Sequence, residues 1–348
     1  MHFAFTDQQL EFRDAVRQVL AKECTTDDVR AAYDAPSART ARWSTLADLG
    51  VTGLTVPEAH GGFGLGLVDL VPLVQEAGRV ALPEPLTATT GIAAPLLADL
   101  ETDGTDPRVA TWLAAIATGE LTAAVADADR PGAPVAGADG ADLLVLVATG
   151  PDGVELHGLD AAQCPVAAVP SLDPTRRLGT PQWQPSAATL LASGPAASAA
   201  LGRTADRAAV VTGAELLGLA DAMVASTAAY AKDRQQFGKP IGSFQAVKHL
   251  LAGAQVVLEF ARPVVYGAAW ALDAGVPDAS RAASVAKSYA SEAALEAARV
   301  SLQVHGAIGY TWECDLHLFL KRSWALAEAW GSAGDHRARL LALLLDED

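Results

Sequence analysis

The sequence predicts an α+β protein in three parts: a helical N-terminal domain over residues 1–118, a small β-sheet or partly open barrel over 119–195, and a C-terminal four-helix bundle over 196–348. Three observations carry that reading. Long Ala-rich, Pro-poor stretches fill the chain after Pro195, whereas short apolar runs punctuated by Pro, Gly and Asp fill its middle. Hydrophobic residues make up 51% of the 348 and charged ones 19%, enough to bury a sizeable core or to cover surface against partner subunits.

Taken in order, Thr6-x-x-Gln9 is a capping-box pattern, and Leu10, Val16, Val19 and Leu20 follow at roughly helical spacing. A second helix is expected from Ala38 to Leu49, stopped by Gly50. Val51 to Glu58 reads as an extended approach to the turn Gly61-Gly62-Phe63-Gly64, and residues 67–80 and 87–99 read as helices divided by Pro83 and Pro85. In the middle part, Thr122–Ala126, Leu143–Ala148, Val154–Leu156, Val166–Val169 and Ala187–Leu191 have the length and boundaries of strands. So few strands suffice for a small sheet.

After Pro195 the chain turns helical. Thr204 is expected as an N-cap with Asp206 in the first turn, where a carboxylate suits the positive end of the helix dipole, and that helix runs to Lys232. A second covers Phe244 to Asp273 with a kink at Pro263, and a third covers Pro277 to His305 and ends at Gly306. The fourth begins near Glu313 and is interrupted at Gly331 and Gly334 before Leu340–Leu345. Alanine on several faces suits tight helix packing and an oligomer.

Charge excludes some functions. The 25 Lys and Arg against 41 Asp and Glu leave a net charge of −16, the wrong sign for nucleic acid or an anionic membrane surface. Cys24, Cys164 and Cys314 lie far apart without metal-ligand spacing and read as incidental thiols of a reducing cytoplasm. His305 and His317 repeat no ligand pattern, so no metal is expected. The opening Met1-His2-Phe3-Ala4 has no basic flank or apolar signal segment, and no run of eighteen apolar residues is free of charge. A soluble, cytoplasmic protein is expected.

The densest chemistry lies in Arg234-Gln235-Gln236-Phe237-Gly238-Lys239-Pro240-Ile241-Gly242-Ser243-Phe244-Gln245, between two expected helices. A helix connection that carries a cation, amides, an aromatic ring and three turn formers has the make-up of a functional loop. This run resembles the R-x-x-F-G-x-P-I-x-x-F-Q segment of the acyl-CoA dehydrogenase family. The resemblance implies that it crosses a dimer interface to hold FAD in the neighbouring subunit, with Arg234 on the diphosphate and Gln236, Phe237 and Gln245 along the nucleotide. Arg can grip a diphosphate bidentately where Lys cannot. Gln303-Val304-His305-Gly306-Ala307-Ile308-Gly309-Tyr310-Thr311 is similar to the family's Q-x-x-G-G-x-G-(F/Y)-T, where the Gln and the glycine backbone meet the adenosine half of FAD. Gln303, Gly306 and Ala307 take those places. Ala307 departs from the second Gly, and Ala tolerates φ > 0 poorly, which puts close backbone approach in question there. The L-x-V-P-E-x-x-G-G run from Leu54, with Asp69 and Glu76-x-Gly78-Arg79, and Leu172-Asp173-Pro174-Thr175-Arg176-Arg177-Leu178 also resemble family segments.

Two family parts are missing. The strand-loop of T-E-P-x-A-G-S-D type, which holds the flavin ring, should fall on residues 121–132, where the strand survives without the loop chemistry; Trp183 stands in the wrong context to floor the ring. The family's catalytic Glu-Gly falls on Trp330-Gly331, and an indole cannot take a proton from carbon. The other helix position that members use falls on Ala208. Asp206 lies two residues, roughly 200°, around that helix and is a weak candidate; Glu215 and Glu328 are weaker. The resemblance therefore implies the shorter, degenerate subunit of a heteromeric acyl-CoA dehydrogenase. It pairs with a full-length subunit in a heterotetramer, completes that partner's FAD site, and acts on an acyl-CoA with an electron-transferring flavoprotein as acceptor. Substrates of such members are bulky, ring-bearing thioesters. Two alternatives stand beside it: a self-sufficient homomeric enzyme with a relocated carboxylate, and a scaffold that binds no FAD.

Overall fold

The computed structural model describes residues 4–36, 40–103, 106–130 and 132–345. The chain is 64% helical and divides into two compact units, one of Ala31–Leu70 and Pro83–Val211, the other of Met1–Arg30, Val71–Leu82 and Thr212–Asp348.

The first unit holds the small sheet. Helices α1 (Asp7–Glu23), α2 (Thr26–Asp34), α3 (Ala41–Asp48), α4 (Leu67–Arg79), α5 (Ala94–Asp103) and α6 (Pro107–Ala117) precede it in sequence, and α3, α5 and α6 belong to this unit. Its strands are β1 (Ala123–Val125), β2 (Leu143–Gly150), β3 (Gly153–Asp160), β4 (Val166–Ala168), β5 (Gly179–Pro181) and β6 (Leu190–Ser193). The order β1-β2-β3-β6 is parallel at β1–β2 and antiparallel elsewhere, while β4 and β5 pair separately. Leu143 to Leu146 are all buried, so β2 is covered on both faces, as its unbroken apolar run requires. Ala124, Leu144, Leu146 and Leu159 form a core with Trp183 packed against it, and the Trp183 ring lies 5.1 Å from that of His157. Trp183 is thus a packing residue. The Trp43 indole donates to Gly119 O at 2.9 Å, and Thr52 Oγ1 donates to Ala117 O at 3.0 Å, tying α3 and the following turns to the end of α6. Arg42 and Glu84 form a buried ion pair at 2.7 Å, and Thr40 Oγ1 donates to the same carboxylate.

The second unit is helical. The capping box of α1 forms as expected: Thr6 N donates to Gln9 Oε1 at 2.9 Å and Gln9 N to Thr6 Oγ1 at 3.3 Å. The part of α7 (Gly194–Asp233) from Thr212 on, with α8 (Gln245–Asp273), α9 (Ala279–His305), α10 (Leu316–Glu328) and α11 (Ala333–Leu345), supplies the rest, α9 packing against α8, α10 and α11. α4 and α7 cross at a pair of glycines. A Cβ on Gly218 would stand 2.0 Å from Gln75 O, and one on Gly78 would stand 2.2 Å from Glu215 O, so neither position admits a side chain. Asp221 gathers the surrounding polar groups, accepting from Gln75, Arg79 and Arg262. Lys287, fully buried, donates to Ala327 O at 2.9 Å and Gly331 O at 2.8 Å, binding the carbonyl end of α10 with a cation.

Several expectations change. α7 begins at Gly194, so Thr204 is not an N-cap: its hydroxyl donates to Ala200 O at 2.7 Å inside the helix, and Asp206 is not in a first turn. Residues 51–57 form successive turns rather than an extended segment, with Val56 N donating to Gly53 O at 3.2 Å. The expected start of the second helix at Ala38 lies outside the described residues, and α3 is described from Ala41. Gly331 does separate α10 from α11, but Gly334 lies inside α11. α7 is long and apolar enough to cross a membrane, yet 89% of its most apolar window is buried within the protein, as suits a core helix.

Candidate functional site

The Arg234 run begins where α7 ends. Gln235–Gln236 (β7) and Lys239–Pro240 (β8) pair as a two-residue hairpin with Phe237 and Gly238 at its tip, φ 54° and 76°. Two successive left-handed residues give the type I′ turn that matches strand twist, a turn that ordinarily selects Asn-Gly. Arg234 N donates to Tyr230 O at 2.9 Å and Ile241 N to Arg234 O at 2.8 Å, so the hairpin is closed at its base and fastened to α7. Gly242 fits tightly: a Cβ there would stand 2.8 Å from Ala231 O. Phe237, 89% exposed, lies edge-on to Phe244 with ring centroids 6.0 Å apart, and Lys239 Nζ sits 4.4 Å above the Phe244 ring. Arg234, Gln236 and Gln245 are exposed, and among the described residues nothing pairs with the Arg234 guanidinium. The Arg234 guanidinium and most of the Phe237 ring are thus left facing solvent.

The second motif caps α9. Gln303 is exposed on its last turn, and Gly306, at φ 65° and ψ −143°, takes a conformation open in practice only to glycine. Ala307 is not among the residues of positive φ, so its methyl carries no backbone penalty. The second-glycine position of the motif therefore tolerates alanine here. Gly309 is buried, where a Cβ would stand 3.0 Å from Leu302 and 3.1 Å from His305.

The two motifs meet through a ring stack that sequence reading missed. Tyr230, one helical turn before Arg234, lies against His305, two residues after Gln303; the centroids are 4.3 Å apart and the planes 18° from parallel. His305 Nδ1 donates to Ser301 O at 2.8 Å, which fixes the ring, and burial holds its pKa below the ordinary value, so the imidazole is neutral at pH 7. Ser301 Oγ in turn donates to Met223 O at 3.2 Å, a second tie from α9 to α7.

The acid candidates are not brought together. Asp206 is buried and belongs to the other compact unit. Glu215 is paired with Arg322 at 3.0 Å, and Glu328 is exposed at the last residue of α10. Trp330 follows α10 with φ 56°, its carbonyl accepting from His336 Nε2 at 2.8 Å, and Gly331 continues the left-handed turn at φ 93°. After β1, the expected ring-binding segment presents Asp127, whose carboxyl is raised above the ordinary range by burial and accepts from Asp129 N at 3.0 Å. An acid there does not suit a diphosphate. An open cavity of about 320 Å³, lined by Arg17, Glu76 and Arg79 among others, contains none of these residues.

A helical, β and helical chain that ends one long helix in an outward Arg-Gln hairpin and caps another with a Gln-Gly turn has the architecture of the flavin-dependent acyl-CoA dehydrogenases. The comparisons agree. The family's N-terminal domain matches residues 6–120 and its C-terminal domain residues 199–342. Acyl-CoA dehydrogenase IpdE2 of Mycobacterium tuberculosis is 36% identical over 330 residues, 92% of each chain. Acyl-CoA dehydrogenase FadE34 of the same organism is 36% identical over 308 residues, 86% of this chain but 41% of that longer one. The solved Tcur3481–Tcur3483 steroid ACAD variant superposes with a TM-score of 0.86 at 29% identity, over 98% of each chain. The chain belongs to the acyl-CoA dehydrogenase family, flavoprotein oxidoreductases of lipid metabolism whose cofactor is FAD.

Proposed function

We propose that this chain is the shorter subunit of a heteromeric, cytoplasmic acyl-CoA dehydrogenase, completing the FAD site of a full-length partner without supplying the catalytic base. The observation that carries this reading is the exposed hairpin at residues 234–241, whose guanidinium pairs with nothing among the described residues and whose aromatic ring is 89% exposed. When bound, FAD accepts the hydride from the β-carbon of an acyl thioester as the α-proton leaves. Toward it, Arg234 offers a bidentate cation to the diphosphate, Gln236 and Gln245 offer amides, and Phe237 offers a face for the nucleotide. Gln303 and the turn at Gly306–Ala307 offer an amide and close backbone approach. These groups fit the nucleotide half of the cofactor; the segment at Asp127 does not fit the diphosphate, which supports a site shared with a partner that keeps its own ring-binding loop. Trp330 at the family's Glu position, and Glu215 committed to Arg322, support a partner that supplies the base.

The likeness to a steroid ACAD named for two components, and to a relative more than twice as long as the matched segment, supports the heteromeric form. A ring-bearing acyl-CoA is then the substrate class and an electron-transferring flavoprotein the acceptor. The test is flavin content. Purified alone, the chain should carry FAD well below one per chain; co-expressed with a full-length acyl-CoA dehydrogenase from a neighbouring gene, it should yield a yellow assembly. Arg234→Ala should strip FAD from that assembly without unfolding it. A lone chain fully loaded with flavin defeats the heteromeric reading, and unchanged FAD content in Arg234→Ala defeats the role given to the hairpin.

A further inference from the structure

The stack of Tyr230 on His305 has a use that neither motif explains. Each ring is half-buried and each sits on an element that ends in a nucleotide-binding motif: α7 continues into Arg234, and α9 into Gly306 and Ala307. Tyr230 O receives the Arg234 amide, so moving Tyr230 moves the base of the hairpin. His305 cannot swivel freely, because Nδ1 is held by Ser301 O, itself on the residue whose hydroxyl binds Met223 of α7. A centroid distance of 4.3 Å with 18° between planes is face-on contact, so sliding α7 along α9 by a full turn, about 5.4 Å, would carry one ring off the other. The joint thus fixes one helix end against the other at the place where both turn outward.

We infer that Tyr230 and His305 are positioning residues for the flavin nucleotide: their stacked rings hold the Arg234 hairpin and the Gln303 turn in the one register in which both grip the same FAD. This rests on the FAD reading given above, and it adds two residues to which that reading assigns no contact with the nucleotide. Two loops that bind one ligand lose affinity when their spacing drifts, since ordering them is then charged against binding. The Tyr230 hydroxyl has no hydrogen-bond partner among the described residues, so Phe at this position preserves the stack and removes nothing else.

The experiment uses the assembled enzyme, stripped of flavin and titrated with FAD while its fluorescence is followed. Tyr230→Phe should bind FAD as the wild type does. Tyr230→Ala, with Tyr230→Leu as a variant of fuller volume should Ala fold poorly, should bind about tenfold more weakly, equivalent to about 1.4 kcal/mol. In an Arg234→Ala background the same change should add little, because a residue acting through Arg234 has nothing left to position. Wild-type affinity in both Tyr230→Ala and Tyr230→Leu overturns the inference. So does a loss that adds fully to that of Arg234→Ala and tracks a fall in melting temperature, which marks packing alone. If Arg234→Ala is silent as well, the FAD reading itself fails and takes this inference with it; if only the Tyr230 variants are silent, the FAD reading stands.

Discussion

Phe237 stands where the hairpin needs asparagine or glycine. Its φ of 54° places a bulky side chain in the left-handed region, at a cost of roughly 1–2 kcal/mol relative to an ordinary conformation. At 89% exposure it recovers little of that by burial in its own chain, beyond an edge contact with Phe244. Strain kept at an exposed tip is the pattern of a residue retained for what it meets elsewhere. Phe237→Asn should therefore raise the stability of the isolated chain by up to about 1 kcal/mol in urea unfolding, as a residue suited to the turn, while lowering the FAD content of the assembly. A variant that loses stability, or that gains it with flavin content unchanged, would show that the ring works within its own fold.

At the scale of elements, helix ends decide more than helix interiors. The start of α10 gathers charge: Asp315 accepts from Thr26 and Arg30 of α2, His317 is buried, and Lys321 lies over Trp312, whose ring meets that of His317 at 4.4 Å. Burial first, then the charges of Lys321 and Arg30 outweighing Asp315, push the His317 pKa down from 6.5 to about 4. The sign follows directly. Unfolded chain binds this proton at pH 6.5 and folded chain does not until about pH 4, so the stability tied to neutral His317 is complete above pH 6.5 and drains away as pH falls toward 4. His317→Gln should flatten the fall of melting temperature across that window, read as the difference between variant and wild type; a wild-type slope in the variant would refute the assignment. These ends also mark what the sequence could disclose. Long Ala-rich runs gave away α8 and α9 because their periodicity is local, and the Arg234 run was legible because its chemistry is contiguous. The beginning of α7 was not, since Thr204 imitates a cap and in fact bonds back to Ala200 within the helix. β5 is too short to show a pattern, and Tyr230 and His305 meet only through tertiary packing.

For the whole molecule, the division of labour between this chain and a partner turns on the carboxylate that takes the α-proton. Glu215 is a poor candidate and a poor probe, because its pairing with the buried Arg322 means that any substitution leaves a guanidinium without its counter-charge. Asp206 and Glu328 remain. Asp206 is buried in the interior of α7 rather than at a helix start, and Glu328 lies exposed at the end of α10, where water competes with any substrate. If the partner supplies the base, Asp206→Asn and Glu328→Gln should leave turnover of the assembly within about tenfold, while an amide in place of a working base should cost roughly 10²–10⁴-fold. Asp206→Asn is the decisive variant, being isosteric and nearest to the helix position that some members of the family use. A small effect there, with flavin content unchanged, fits a chain that holds the cofactor for another subunit's chemistry. A large loss of rate in Asp206→Asn, with folding and FAD content intact, would return the catalytic role to this chain and make the assembly's second subunit, rather than this one, the one to be explained.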